Sequence, residues 1–188
     1  AMISPYMGVF FAALFVTILM TPIMRYLAVK NGIVDWPDLK RKNHLQPVAY
    51  LGGVAIFLGW FVGVGVCFVQ HPQTNSMLIS IILGATAITL TGFIDDVYHI
   101  SPRVKIGGQL FAAAALASQN VGIKLAESII AQLGLIEYIP HSITYIIGTI
   151  IVAVFIIGGC NATNLMDGLD GLASGICGIA CCGFLVIA

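Results

Sequence analysis

The chain has 188 residues, 59% hydrophobic and 9% charged, with no net charge and a mean hydropathy of +1.02. Soluble domains carry about a quarter charged residues, so this composition excludes a soluble globular protein and points to one embedded in a membrane. No basic tract or nucleic-acid-binding motif is present, which argues against a nucleic-acid partner.

A helix needs about 20 residues to cross the hydrocarbon core. Six stretches are predicted to do so: Ile3–Leu27, Val48–Val69, Met77–Ile94, Val104–Ser118, Ile143–Cys160 and Leu172–Ala188. The first is too long for a signal-peptide core and has no basic residue before it. Pro22 inside it is expected to kink or break the helix. The fourth is short and Ala-rich and relies on Lys105 reaching outward to the interface. Between the fourth and fifth, Asn120–Pro140 mixes apolar residues with Lys124, Glu127 and Glu137, the pattern of a short interfacial helix or hairpin. The pairs Gly52-Gly53, Gly107-Gly108 and Gly158-Gly159 stand near span ends, where close helix packing is their expected role. Cys67, Cys160, Cys177, Cys181 and Cys182 all lie in or beside apolar stretches and read as small packing residues. The predicted fold is an all-α polytopic membrane protein of about six transmembrane helices, with residues 1–188 in a single transmembrane domain.

Basic residues set the orientation. Arg25, Lys30, Lys40, Arg41 and Lys42 fall in or beside the first loop, Arg103 and Lys105 in the third, and Lys124 alone on the opposite side. By the positive-inside rule the first and third loops are cytoplasmic and the amino terminus is outside. The loops that hold Asp95-Asp96 and Asp167/Asp170 are then both inside.

Charge near hydrocarbon is costly and usually has a task. The run Asn161-Ala-Thr-Asn-Leu-Met-Asp-Gly-Leu-Asp-Gly-Leu-Ala173 places two carboxamides and two carboxylates at intervals of three. On a helix, Asn161, Asn164, Asp167 and Asp170 form one slowly rotating stripe. Gly168 and Gly171 are expected to interrupt that helix and open its backbone toward a ligand. Asp95 and Asp96 are neighbours at the inner end of the third stretch. Their side chains diverge by about 100°, so both face one ligand only if the helix frays. Mg²⁺ prefers such oxygen ligands and brings phosphates with it. Lys40, Arg41, Lys42 and His44 in the first loop are phosphate-contact candidates or topology determinants beside anionic lipid. Arg103, Lys105 and Gln109 share that ambiguity. His71, His99 and His141 read as solvated side chains.

Together these residues resemble the polyprenyl-phosphate N-acetylhexosamine-1-phosphate transferase family, in its N-acetylglucosamine branch and related to the lipid I translocase. Three segments carry the resemblance: Asp35-x-Pro37 with Arg41-Lys42-x-His44, Pro47 and Gly52-Gly53; Gly92-Phe-Ile-Asp-Asp96 with Lys105 and Gln109; and, most specific, Asn161 to Ala173. The resemblance implies transfer of a sugar-1-phosphate, with N-acetylglucosamine the default sugar, from a UDP-sugar to undecaprenyl phosphate. UMP is released, and the site lies at the cytoplasmic face of the bacterial inner membrane. It implies Mg²⁺, with Mn²⁺ an alternative, held by Asp95, Asp96 and Asp167. Asp95 and Asp96 take the catalytic role. Asn161, Asn164, Asp167 and Asp170 line the nucleotide-sugar site, with Lys42, His44 and Lys105 as further substrate contacts. A homodimer is the assembly that family analogy offers. The family has about ten or eleven spans, a further Asp and a His-rich motif in later loops, so residues 1–188 are expected to be the amino-terminal portion of a larger transferase domain. The alternatives are a catalytically incomplete or inactive paralogue acting as a membrane scaffold and, on weaker carboxylate spacing, an intramembrane prenyltransferase.

The orientation has a direct test. Cysteines introduced singly at Asn43 and Asn75 are expected to react with an impermeant reagent from opposite sides of the membrane in intact cells. Reaction of both from one side overturns the arrangement.

Overall fold

The computed structural model describes residues 4–36, 47–70, 76–135, 137–167 and 171–187. It divides into two compact units, residues 1–119 and 120–188. Among the described residues the protein is all-α apart from one pair of two-residue strands, and it is a multi-pass membrane protein.

In the first unit the elements run α1 (Ser4–Lys30), β1 (Val34–Asp35), β2 (Val48–Ala49), α2 (Gly52–Gln70), α3 (Ser76–Tyr98) and α4 (Pro102–Ala117). α1 continues unbroken through Pro22. The hydroxyls of Thr17 and Thr21 bond back to the carbonyls of Ala13 and Thr17 at 2.8 and 2.7 Å. The apolar run expected to cross the membrane from Val48 becomes helical only at Gly52. Its first residues instead pair antiparallel with the segment after α1, Val34 opposite Ala49 and Asp35 opposite Val48. Hydropathy alone does not separate a β-branched strand from a helix.

Small residues set the helix contacts. α1 packs on α2 where Gly59 and Gly63 meet Ala13, Thr17 and Val9. A Cβ on Gly59 would stand 2.7 Å from the Ala13 carbonyl oxygen and overlap the Thr17 side chain. α3 and α4 form an antiparallel hairpin. Gly84 lies on Ala112, Gly108 lies on Thr91, and the Ser76 hydroxyl meets the Gln119 side-chain oxygen at 2.6 Å. Ala112, Ala113 and Ala117 are buried. Lipid tails are as apolar as the helices, so close backbone approach and dispersion must hold such pairs together. Among the described residues, Gly108 is the one of the six paired glycines that has this role; a Cβ on any of the other five would meet no described atom within 4 Å.

In the second unit α5 (Ile123–Gln132) precedes α6 (His141–Met166) and α7 (Leu172–Ile187). α5 is the expected short amphipathic helix. Ile123, Ala126 and Ile130 are buried, whereas Lys124, Glu127 and Ser128 are exposed. It seats on α6 where Gly122, with φ +94°, approaches Gly148 so closely that a Cβ would lie 2.6 Å from the Gly148 carbonyl oxygen.

Four described helices are long and apolar enough to cross a bilayer: Tyr6–Lys30, Gly52–Gln70, Ser76–Tyr98 and His141–Met166. α4, with 16 residues, is about 24 Å long, shorter than the hydrocarbon core, so the fourth expected stretch falls short of the length of a span. α7 is apolar throughout its described residues.

Gly59→Val is expected to destabilise the α1–α2 pair by about 1–3 kcal/mol, the usual cost of overpacking. Gly65→Val, with no atom within 4 Å of the new Cβ, serves as the control. Thermal unfolding in detergent measures both, and equal shifts would remove the close approach as the cause.

Candidate active site

α3 delivers the carboxylate pair. Asp95 and Asp96 lie near its end and are half-buried. The helix does not fray beneath them but runs on to Tyr98. His99 closes it with φ +51°, its N–H donating to the Asp95 carbonyl at 2.8 Å, as helix ends often do. On an intact helix the two side chains diverge, and here each finds a different partner. Asp95 Oδ2 meets Lys105 Nζ on the first turns of α4 at 2.6 Å. Asp96 accepts the backbone N–H of Leu51 at the start of α2.

Leu51 is held tightly. Its side chain is buried and its carbonyl accepts from Val54 and Ala55 at 3.2 and 3.4 Å, opening α2. Its φ is +74°, a left-handed conformation that costs a residue with a Cβ about 1–2 kcal/mol. Backbone strain of this kind collects at functional sites.

The strand pair brings a third carboxylate into the neighbourhood. The Tyr50 N–H donates to the Ile33 carbonyl at 3.2 Å, extending the ladder by one position. Tyr50 therefore stands opposite Ile33, and Asp35 is its diagonal neighbour on the same face, within reach of a long side chain. The Tyr50 hydroxyl donates to the Asp35 carboxylate. Burial, then the hydrogen bond and charge of Asp35, then the charges of Asp96 and Asp95 push the Tyr50 phenol up to about 12. At neutral pH it keeps its proton and serves as a donor.

In the second unit α6 carries Asn161 and Asn164 in its last turns, and Asp167 is the residue that caps it. All three are exposed. The Asn161 amide bonds back to the Ile157 carbonyl at 2.7 Å, and the Asp167 N–H to the Thr163 carbonyl at 3.1 Å. The helix ends where the glycine-rich run begins, and Gly171 precedes α7 with φ +81°. Asp170 and Gly168 lie outside the described residues, as do Lys42 and His44 of the first loop.

Of the residues expected at the site, the first unit brings together Asp95, Asp96 and Lys105, and α6 groups Asn161, Asn164 and Asp167. Sequence reasoning missed Tyr50 and Leu51, which lay inside a predicted span. The available signal was the alternation of Ile33-x-Asp35 and Val48-x-Tyr50, two short runs with β-branched residues.

Among the described residues, no three His, Cys, Asp or Glu side chains gather closely enough to hold a metal ion by themselves. Each carboxylate of the Asp95-Asp96 pair is of the kind Mg²⁺ takes, commonly one or two with substrate phosphates and water completing the shell. Because the intact helix turns Asp95 and Asp96 apart, an ion would take one of them directly and reach the other only through water or phosphate.

Residues 78–188, more than half of the chain, match the model of glycosyl transferase family 4. The chain belongs to this family. The matched region holds Asp95, Asp96, Lys105 and the whole Asn161–Ala173 run. Over 173 residues the chain is 34% identical to a probable undecaprenyl-phosphate N-acetylglucosaminyl 1-phosphate transferase of Bacillus subtilis, covering 89% of this chain and 44% of that protein. It is 31% identical over 182 residues to a decaprenyl-phosphate N-acetylglucosaminephosphotransferase of Mycolicibacterium smegmatis, covering 93% and 43%. A phospho-N-acetylmuramoyl-pentapeptide-transferase of Nocardia farcinica is 30% identical over 200 residues, covering 93% and 54%. The chain thus spans about half the length of the curated relatives it matches. No solved structure matches it at a significant level.

The Lys105–Asp95 pair is partly exposed, at 37% and 26% of the two side chains, and such pairs contribute little to stability. Lys105→Gln is expected to cost under about 1 kcal/mol in thermal unfolding. A loss above about 3 kcal/mol would make the pair structural rather than functional.

Proposed function

We propose that the whole protein transfers N-acetylglucosamine-1-phosphate from a UDP-sugar to undecaprenyl phosphate and releases UMP at the cytoplasmic face of the bacterial inner membrane. Family membership and the names of the relatives support the reaction class. The observation that carries the reading is the carboxylate pair at the end of an apolar helix, with a lysine on one member and a helix-opening amide on the other. A membrane-embedded lipid phosphate and a cytosolic nucleotide meet only at such a boundary.

In the proposed reaction an oxygen of the lipid phosphate attacks the β-phosphorus of the UDP-sugar. The bond from that phosphorus to the bridging oxygen breaks, and UMP leaves with the electron pair. Phosphoryl transfer depends chiefly on positioning and on stabilising charge. Asp95 and Asp96 are assigned to the lipid-phosphate side, where one of them accepts a proton if the lipid phosphate arrives protonated. Lys105, already on Asp95, is assigned to the phosphate oxygens that approach it. Asn161, Asn164, Asp167 and Asp170 are assigned to the nucleotide sugar, and Lys42 and His44 to phosphate contact. Asp95 and Asp96, with Asp167 as a further proposed ligand, are the residues that would hold Mg²⁺ or Mn²⁺. The bound metal supplies charge neutralisation on the diphosphate. The amino terminus outside and a homodimeric assembly belong to the same proposal.

Asp95→Asn, Asp96→Asn and Asp167→Asn in the full-length protein are each expected to lower transfer at least ~10²–10³-fold, the usual loss on removing one preorganised charged group, while leaving the protein folded. UMP release with UDP-N-acetylglucosamine and undecaprenyl phosphate in the presence of Mg²⁺ measures this. Near-wild-type turnover in all three variants would refute the site.

A further inference from the structure

The strand pair lies outside the region matched by the family model, yet it is tied to the carboxylate pair by two consecutive residues. Tyr50 bonds sideways to Asp35 through its hydroxyl and along the ladder to Ile33 through its N–H. Leu51, next in the chain, donates its N–H to Asp96 and opens α2 with its carbonyl. The left-handed backbone of Leu51 turns the chain so that these neighbouring groups serve different elements. Tyr50 is half-buried between them. Its phenol keeps its proton at neutral pH, so it is a lasting donor to Asp35 and no rival base to Asp95 or Asp96.

From this geometry we infer that Tyr50 is a positioning residue for the transfer reaction: its hydroxyl, through Asp35, fixes the strand pair that aims the Leu51 amide at Asp96. The inference rests on the reaction proposed above. A strand pair of two residues per strand is too short to hold itself, so a side-chain bond to a carboxylate decides whether the ladder persists. When the ladder loosens, the Leu51 amide loses its fixed direction. Asp96 then accepts water in place of a fixed donor, and its carboxylate is no longer held in one orientation. Tyr50 touches no reacting atom in this scheme and acts on the chemistry only through Asp35 and Leu51.

The test uses the full-length protein and four forms: wild type, Tyr50→Phe, Asp35→Asn and the double variant. Tyr50→Phe keeps the ring and removes only the donor. Hydrogen bonds to a charged partner, when lost, commonly cost tenfold or more, so Tyr50→Phe is expected to lower kcat about tenfold, with a smaller change in KM for UDP-N-acetylglucosamine. In the Asp35→Asn background the same substitution is expected to change kcat by less than about twofold, because its partner is already altered. Hydrogen exchange at the amides of residues 50 and 51 is expected to speed up about tenfold in Tyr50→Phe, while exchange along α3 stays unchanged. Equal kcat losses from Tyr50→Phe in both backgrounds, or unaltered exchange at residues 50 and 51, would overturn the inference. If the wild-type protein does not turn over a UDP-sugar at all, the proposed reaction fails, and the exchange comparison still decides whether Tyr50 holds the strand pair.

Discussion

Two adjacent carboxylates at the end of an apolar helix repel each other and resist burial, and the first unit is organised around that constraint. A frayed helix end would let both turn toward water. α3 instead stays helical past them, which sends Asp95 and Asp96 in different directions. Each direction needs its own partner. α4 begins close enough to put Lys105 against Asp95, and α2 begins close enough to put the Leu51 amide against Asp96. The left-handed turn at Leu51 and the strand pair before it follow from the second requirement.

Partners at one end of a helix bundle stay in place only if the helices below them approach closely. Here the approach comes from residues without bulk. Gly59 and Gly63 admit α1. Gly84 of α3 admits α4, and Gly108 and the buried alanines of α4 admit α3. The small faces that made the fourth stretch look weak as a membrane span are the faces that bring α4 against the carboxylates.

Much of this was legible in the sequence. The apolar stretches, the amphipathic α5 and the acidic and carboxamide-rich runs are properties of composition and period, which local sequence displays. The start of α2 was not legible, because Val48 to Leu51 is as apolar as the helix it precedes. Only pairing with residues 33 to 35, across a separation hydropathy does not see, makes it a strand. The roles of the paired glycines were not legible for a similar reason. What a glycine admits depends on the atoms facing it, and among the described residues five of the six face none within 4 Å. The direction of Asp95 and Asp96 depended on whether the helix continues, and no residue near Asp96 announces that it does.

The α3–α4 hairpin has one more property. Its register is set along its whole length. Thr91 fits only because Gly108 opposite it has no Cβ, and a slip of one turn, about 5.4 Å, would bring a bulkier residue against it. The same slip would part Lys105 from Asp95 at one end and Ser76 from Gln119 at the other. Packing thus acts as a detent that indexes a sliding joint to a single stop. The ion pair adds little to stability; the steric fit below it is what keeps a lysine beside a carboxylate at the membrane edge.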